Sequence, residues 1–473
     1  MEYAFFAVCA VLVLGCLVAF FMRRNPWGFP VGAVLATTGI WYVGDAAYND
    51  YEEYRRVFGD QSLTVAWIQV LAFSCVVIFL TPALTYLFLG GRHKESSFVD
   101  ECLRSRRVET PEFQQQFVWV VRGILIAWAM LMAIALWKAS FEFMPLFFPY
   151  LTGVRLDPWS RTRLGGGIDS LLAFGAYLQI FLTAALGVTA ALVKNSKTRL
   201  IAFIGFLLSF PYFAFSAARS HMLAAGIPGF LAYVGIRNRA PIPVKIWLVI
   251  MAFMAVDFWF AFVLQNRGGA GGVDKAFASG VSFESVEDTK HLGLNMFEEL
   301  AWVNFFQQTG VLEPNMGRNY WAEFVNPVPR ALWKNKPLVG IEYSIARGQA
   351  YTSDATLVTA TIAKGMVGQG ILNFGYITGP LVAGALMAAW AAFLARQDVL
   401  AREQSGRLVV YGAGLILTFN LGRDITLMVM YPFFFGLIVV WAWEWWTRKN
   451  NLNVSDLDLP RKIESRRLWR YEE

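Results

Sequence analysis

The sequence predicts an all-α polytopic membrane protein with about eleven transmembrane helices. Hydrophobic residues make up 56% of the 473 residues and charged residues 16%, and the mean hydropathy is +0.45. This apolar content exceeds what a soluble chain of this length can bury in one core. Apolar runs of roughly 20 residues, enough to cross about 30 Å of hydrocarbon, recur along the chain. They lack the polar–apolar alternation of outer-membrane barrel strands, so the pattern favours a helical bundle.

The apolar runs divide the chain into four parts. Residues 1–264 hold helices 1–8, residues 265–370 form a long and partly helical outer loop, residues 371–447 hold helices 9–11, and residues 448–473 form a basic tail. The predicted crossings are 3–22, 27–45, 62–90, 116–138, 169–193, 200–218, 220–236, 245–264, 371–395, 408–422 and 425–446.

Basic residues predict the orientation of these helices. Arg23 and Arg24 follow the first run and no basic residue precedes it, so the positive-inside rule predicts a periplasmic N-terminus. Every other short loop that alternation then assigns to the cytoplasm also carries Lys or Arg. We therefore expect a multi-pass protein of the bacterial inner membrane with a periplasmic 265–370 segment and a cytoplasmic C-terminus. Because topology accounts for much of the net charge of +7, we expect no nucleic-acid partner.

Two arginines lie where almost no loop separates neighbouring apolar runs. Arg423 follows a run of about 14 residues, or roughly 21 Å of helix, which is shorter than the hydrocarbon thickness. We expect Arg423 and Arg219 to face one wet cavity below the outer surface, because an ionisable residue at that depth is otherwise costly. The alternative is that they snorkel to the headgroups or that Arg423 pairs with Asp424. His221 follows Arg219 closely and either shares this cavity or has a structural role.

Several short motifs in the second half of the chain point to a family. They are Ser216–Ser220 (SAARS), Gln265–Gly268 (QNRG), Val325–Arg330 (VNPVPR), Leu332–Pro337 (LWKNKP), the small-residue stretch Lys364–Gly375, and Gly422–Asp424 (GRD). In these motifs the chain resembles the bacterial O-antigen polymerases, also called oligosaccharide repeat-unit polymerases. The resemblance covers most of the chain from about Phe203 onward, and the proline-rich segment is its most specific part.

The resemblance implies a GT-C-like glycosyltransferase at the outer face of the inner membrane. Such an enzyme passes a glycan from polyprenyl pyrophosphate to a sugar hydroxyl of a new lipid-linked repeat unit, with lipid pyrophosphate as the leaving group. The product is a surface polysaccharide: O-antigen, capsule or exopolysaccharide. The expected partners are the polyprenyl-pyrophosphate-linked oligosaccharide, the lipid bilayer, and a chain-length regulator and a flippase of the same pathway.

This chemistry assigns roles to basic and aromatic residues. Guanidinium groups bind phosphate oxygens bidentately and stay charged in a low-dielectric site, so we expect Arg219, Arg267 and Arg423 to clamp the pyrophosphate. The long loop and its surroundings are expected to add substrate-binding residues, which are His221, Arg318, Arg330, Trp333, Lys336, Tyr343 and Arg347.

A carboxylate is expected to take the proton from the attacking hydroxyl. The candidates on the outer side are Glu299, Glu342 and Asp424, and the sequence does not rank them. An Asp-x-Asp pair of the kind that binds metal in other glycosyltransferases occurs at Asp456 and Asp458, in the predicted cytoplasmic tail. We therefore expect no metal and no other cofactor.

Two other functions stay open. An O-antigen ligase would use the same donor and transfer the glycan to lipid A core; it would have a catalytic histidine in the large outer loop, where His291 lies early and far from the proline-rich segment. A transporter of polysaccharide or lipid-linked glycan would commonly show internal repeats, and the sequence has none. In any of these proteins Pro327, Pro329 and Pro337 forbid one continuous helix over 320–340.

Overall fold

The chain is a multi-pass helical membrane protein. A computed structural model describes residues 2–90, 95–105, 107–159, 169–215, 219–266, 295–325, 328, 332–333, 335–337, 340–348, 362–404 and 406–449, and all regular structure in them is helical. Seven helices in this described part are long and apolar enough to span a bilayer: Tyr3–Phe21, Tyr51–Leu89, Phe113–Lys138, Gly175–Leu192, Ser196–Ala214, Ile242–Phe260 and Met366–Leu400.

Each of the eleven predicted crossings overlaps a helix or a continuous helical run. In chain order the helices are α1 Glu2–Phe21, α2 Gly28–Thr38, α3 Gly44–Tyr48, α4 Tyr51–Leu89, α5 Phe98–Arg104, α6 Pro111–Lys138, α7 Phe143–Phe147, α8 Pro149–Thr152, α9 Asp169–Leu192, α10 Ser196–Ala214, α11 Arg219–Ala232, α12 Ile242–Asn266, α13 Met296–Gln308, α14 Arg318–Val325, α15 Ile341–Ala346, α16 Met366–Leu400, α17 Gly406–Leu421 and α18 Leu427–Lys449. Five-residue π-helical turns, Gly39–Val43 and Tyr233–Arg237, join α2 to α3 and extend α11.

Several helices begin where the sequence supplies a side-chain cap. Asp50 accepts hydrogen bonds from two backbone N–H groups of the first turn of α4, at 3.1 and 3.3 Å. Asn195 does the same for α10 at 3.0 and 3.2 Å, and Thr110 caps α6, which has Pro111 in its first turn. These caps satisfy amides that have no partner within the helix.

The predicted crossing 371–395 is not one straight helix, because α16 breaks at Gly375. The backbone there has φ +80° and ψ −178°, a conformation open to glycine alone. The break turns residues 366–374 back onto the next turns of the helix. Gly370 and Gly379 then pack backbone against backbone, with no room for a Cβ at either position. The sequence prediction missed this turn because an apolar run containing glycines is also compatible with a continuous helix.

The loops grouped by the positive-inside pattern lie together at one end of the bundle. Hydrogen bonds and ion pairs connect the segment 95–109 to these loops. The hydrogen bonds run from the Ser97 N–H to the Arg24 carbonyl at 2.8 Å, from Lys194 to the Glu109 carbonyl at 2.7 Å and from Arg402 to the Ser96 carbonyl at 3.2 Å. The ion pairs are Arg23 with Asp100 and Arg239 with Glu109, each at 3.0 Å. We call this the basic end. The orientation of the basic end toward the cytoplasm stays a prediction.

Candidate functional site

The end of the bundle opposite the basic end is built around α13, from the segment predicted as an outer loop. Eight of the 13 residues of α13 are buried, because the helix packs against α4 and α16. Phe297 stacks on Trp67 of α4 with ring centroids 4.0 Å apart. The amides of Gln69 and Asn304 exchange hydrogen bonds of 3.0 and 2.8 Å. Helix α13 is therefore part of the packed helical core.

A buried carboxylate from the membrane part holds the start of α13. Asp45, which is fully buried, accepts hydrogen bonds from the backbone N–H groups of Phe297 at 2.7 Å and Glu298 at 3.0 Å. Asn49 and Tyr54 also donate to this carboxylate, at 2.6 and 3.0 Å. An N-terminal helix end favours a negative charge, so Asp45 acts as a cap supplied from a distant part of the chain.

Three predicted site residues, Glu299, Tyr343 and Arg347, meet in one cluster. The Arg347 guanidinium donates to both Glu299 oxygens, at 3.2 Å from Nε and 3.0 Å from Nη2. The Tyr343 hydroxyl donates to Glu299 Oε2, and the Asn295 amide donates to Oε1 at 3.0 Å. Burial raises the pKa of Tyr343 well above its ordinary value, and the Glu299 charge raises it further. Arg347 also lies over the Trp302 ring at 4.6 Å, so this cluster locks α15 onto α13.

A second cluster lies where α14, residues 362–365 and the turn 422–426 meet. The Lys364 side chain is only 2% exposed, and its ammonium is 3.9 Å from the Asp424 carboxylate. The Lys364 backbone N–H also donates to Asp424 Oδ1 at 3.4 Å. Glu323 of α14 is buried and accepts a hydrogen bond of 2.5 Å from the Thr426 hydroxyl. One buried cation is therefore placed among two carboxyl groups.

The carboxyl groups of this second cluster have raised pKa values. Burial raises the pKa of Glu323 to about 7, although the Thr426 hydrogen bond and the Lys364 charge oppose the shift. Burial also raises the pKa of Asp424, again against the charge of Lys364. The Tyr320 hydroxyl is buried beside them and has no hydrogen-bond partner among the described residues. A group with a pKa near 7 can give or take a proton at neutral pH.

The two clusters are neighbours in one layer. Residues 362–367 run between them: Ile362 N–H donates to Ser344 Oγ at 3.1 Å, and Val367 N–H donates to the buried Tyr42 hydroxyl at 2.9 Å. We call the six residues of the two clusters the polar layer; they are Glu299, Tyr343, Arg347, Glu323, Lys364 and Asp424.

Arg423 lies at the edge of the polar layer. Its side chain is exposed on the turn after α17, and its guanidinium is 5.9 Å from the centre of the Trp41 ring. Asp424 contacts Lys364 at 3.9 Å, and the charge of Arg423 also acts on the Asp424 carboxyl group. Arg219 is the first residue of α11, and Arg267 and Arg330 lie outside the described residues. The predicted cavity shared by Arg219 and Arg423 stays a prediction.

The structure does not bring the remaining predicted residues into the polar layer. Arg318 and Glu342 form an exposed pair at 3.9 Å, and Trp333 is 36% exposed. Lys336 is buried and donates to the Val328 carbonyl at 2.9 Å, which folds the proline-rich segment onto itself. His221 contacts the Tyr177 ring edge-on at 6.2 Å.

The proline-rich segment follows the sequence prediction. Helix α14 ends at Val325, and the described residues between 328 and 337 are not helical. The segment 320–340 is therefore not one continuous helix, as its prolines require.

Sequence reasoning missed three buried charged residues, Asp45, Glu323 and Lys364. Two signals were available in the sequence. Asp45 ends an apolar run, and Lys364 is the one cation between Arg347 and Arg396. An ionisable residue in such a position usually has a dedicated partner. Lys364 entered the sequence analysis only as the boundary of a small-residue motif.

Comparison of the chain with protein-family models, with curated proteins and with solved structures finds no match. Within the described part of the chain, no three His, Cys, Asp or Glu side chains are grouped to hold a metal ion. The function must be inferred from the polar layer itself. That layer can transfer a proton through carboxyl groups of raised pKa, and it has an exposed guanidinium beside them that can bind a phosphate.

Proposed function

We propose that the chain is a metal-independent glycosyltransferase that polymerises polyprenyl-pyrophosphate-linked oligosaccharide repeat units into a surface polysaccharide. The proposal includes eleven crossings in a GT-C-like arrangement in the bacterial inner membrane, a periplasmic N-terminus and a cytoplasmic C-terminus. In that orientation the polar layer lies at the periplasmic end, where lipid-linked repeat units are joined. A flippase and a chain-length regulator are the proposed partners in the same pathway.

The turn 422–426 carries this proposal. It places the exposed Arg423 guanidinium next to Asp424, which contacts the buried Lys364. In the reaction, the acceptor hydroxyl forms a bond to the anomeric carbon of the donor glycan. The bond from that carbon to the pyrophosphate breaks, and lipid pyrophosphate leaves with both electrons. A guanidinium fork stabilises the departing pyrophosphate, and an adjacent carboxylate accepts the hydroxyl proton.

The geometry favours the second cluster over Glu299 as the source of the base. Both Glu299 oxygens are occupied by Arg347, Tyr343 and Asn295, which suits a residue that positions the segment. Glu323 has a pKa of about 7 and, among the described residues, one hydroxyl donor at 2.5 Å, which suits a base that works near neutral pH. We therefore propose Glu323 or Asp424 as the base.

The packing of α11 supports a joint role for Arg219 and Arg423. Helix α10 starts at the basic end, beside Lys194, so α11 begins at the opposite end, where α17 finishes. Helices α11 and α17 pack against each other. The first residue of α11 and the turn after α17 therefore lie at the same end of one helix pair, as a shared pyrophosphate clamp requires.

The test is the glycan profile of a deletion strain complemented with variants at matched protein levels. Arg423→Ala should abolish long chains, and Arg423→Lys should lose most of them, because lysine keeps the charge but not the bidentate fork. The control is Arg55→Lys, an exposed arginine on α4 that pairs with Glu52 and Asp60. A normal glycan ladder from Arg423→Ala would overturn the proposal.

The accumulated intermediate separates the competing functions. Loss of a polymerase leaves single lipid-linked repeat units at the periplasmic face. Loss of a ligase leaves long lipid-linked chains that are not attached to lipid A core. Loss of a transporter leaves lipid-linked glycans that added glycosidases cannot reach in intact spheroplasts. Either of the last two profiles would contradict polymerase activity.

A further inference from the structure

Helices α2 and α3 are joined by the π-helical turn Gly39–Val43, in which the Gly44 N–H donates to the Gly39 carbonyl five residues earlier. Such turns are rare and are often found at functional sites. Two side chains of this turn, Trp41 and Tyr42, are buried. Each of them contacts a different one of the segments that form the second cluster.

Trp41 holds the end of α17. Its indole N–H donates to the Phe419 carbonyl at 2.7 Å, and its ring lies against the Phe419 ring, with centroids 5.0 Å apart. The same carbonyl accepts a longer hydrogen bond of 3.3 Å from the Gly422 N–H. A Cβ at Gly422 would overlap the indole, so the backbone of the turn 422–426 starts directly against the Trp41 ring.

The indole acts on Arg423 through this backbone. The guanidinium lies 5.9 Å from the centre of the Trp41 ring, and a cation–π contact extends only to about 6 Å. Direct attraction between the two side chains is therefore small. The residues before Arg423 are instead fixed by a hydrogen bond and by close packing, which set the point from which its side chain extends.

Tyr42 holds the other segment. Its hydroxyl accepts a hydrogen bond of 2.9 Å from the Val367 N–H, three positions after Lys364. The two segments also meet directly, because the Met366 N–H donates to the Gly422 carbonyl at 3.2 Å. Consecutive residues of a helix differ in height by only about 1.5 Å, so the π-helical turn holds both segments at nearly the same depth.

We infer that Trp41 and Tyr42 are positioning residues of the polar layer, with Trp41 fixing Arg423 and Tyr42 fixing Lys364. The exposed guanidinium and the buried ammonium are then kept at a fixed distance from each other. A clamp on a leaving group needs this precision, because a misplacement of about 1 Å can lower a rate about 100-fold. The effect on polymerisation rests on the proposed function, whereas the two contacts do not.

The first test does not depend on activity. Hydrogen–deuterium exchange is measured on the full-length protein in nanodiscs. Trp41→Phe should raise exchange about fivefold in residues 419–425, because it removes one net hydrogen bond from that segment. Tyr42→Phe should do the same in residues 364–369, where Val367 loses its acceptor.

The matched control is Trp390→Phe. Trp390 is buried like Trp41 and also donates to α17, at 2.9 Å from the Thr418 hydroxyl, but it does not contact the turn 422–426. This variant should leave exchange in both segments unchanged. The absence of either expected rise, an equal rise in Trp390→Phe, or a uniform rise that includes α10 would overturn the inference.

The second test is the glycan ladder of the complemented deletion strain at matched protein levels. Trp41→Phe should lower the amount of long chains about tenfold, because Arg423 is present but no longer held in place, and Trp390→Phe should leave a normal ladder. If Arg423→Ala abolishes long chains and Trp41→Phe leaves them normal, the inference fails while the proposed function stands. If Arg423→Ala itself leaves a normal ladder, the proposed function fails, and the exchange pattern alone decides whether the two contacts position these residues.

Discussion

Replacing Arg347 tests whether the Glu299 cluster is a structural lock. The Glu299 side chain is 2% exposed and Arg347 supplies its only cation among the described residues. Removing one partner of a buried ion pair costs about 3–5 kcal/mol. Tyr343 and Asn295 still donate to Glu299, so we expect Arg347→Met to lower the free energy of unfolding by about 3 kcal/mol, the lower end of this range. The lost contact with the Trp302 ring adds about 1 kcal/mol at most.

A second substitution should recover much of this loss. Glu299→Gln removes the buried charge, so the Glu299→Gln and Arg347→Met double variant should be more stable than Arg347→Met alone, by about 2 kcal/mol. The assay is thermal unfolding in detergent followed by tryptophan fluorescence. Arg55→Met, at an exposed ion pair of α4, is the matched control and should leave the unfolding midpoint unchanged.

The same variants distinguish a lock from a substrate contact. If Arg347→Met abolishes the glycan ladder at an unchanged unfolding midpoint, Arg347 binds substrate and the structural reasoning is wrong. Equal unfolding midpoints for the single and double variants would also refute it, because the cost would then not arise from an unpaired carboxylate.

Three further predictions follow from the fold. Because the pKa of Glu323 is raised from 4.5 to about 7, the protein should be most stable below pH 4.5 and should lose this stability as the pH rises through about 7. Unfolding midpoints measured against pH should show this decline, and Glu323→Gln should flatten it. Gly375→Ala should destabilise the protein by about 1–3 kcal/mol, whereas Gly412→Ala, in a helix with open space, should not. In a cysteine-free background, a membrane-impermeant maleimide should label Val311→Cys but not Ser105→Cys in intact spheroplasts, and the opposite pattern would invert the proposed topology.

The helices were predictable because apolar periodicity and length are local properties. Each predicted crossing overlaps a helical run, and the basic loops meet at one end as their charges indicated. Gly375 was not predictable as a break, because the same residue type at Gly412 continues a helix. What distinguishes the two positions is tertiary packing, which the local pattern does not contain.

The candidate site was predictable only in part, because its pairs join distant residues. Glu299, Tyr343 and Arg347 were each selected as single residues, yet nothing in the sequence indicated that they contact one another across 44 to 48 positions. The bond from Phe297 to Asp45 spans 252 positions. Lys364 was missed as a site residue because its partner, Asp424, had been considered as a base and as a partner of Arg423, but not as the partner of a lysine 60 positions away.

The cap that Asp45 forms on α13 has a consequence for biosynthesis. Asp45 and Trp67 are synthesised long before α13, whereas Tyr376, whose hydroxyl donates to the Asn304 carbonyl at 3.1 Å, follows it by about seventy residues. Helix α13 can therefore start to dock on helices already in the membrane, but it completes its contacts only after α16 has left the ribosome. Produced without the rest of the chain, α13 would lack both the carboxylate that caps it and the helices on which it packs.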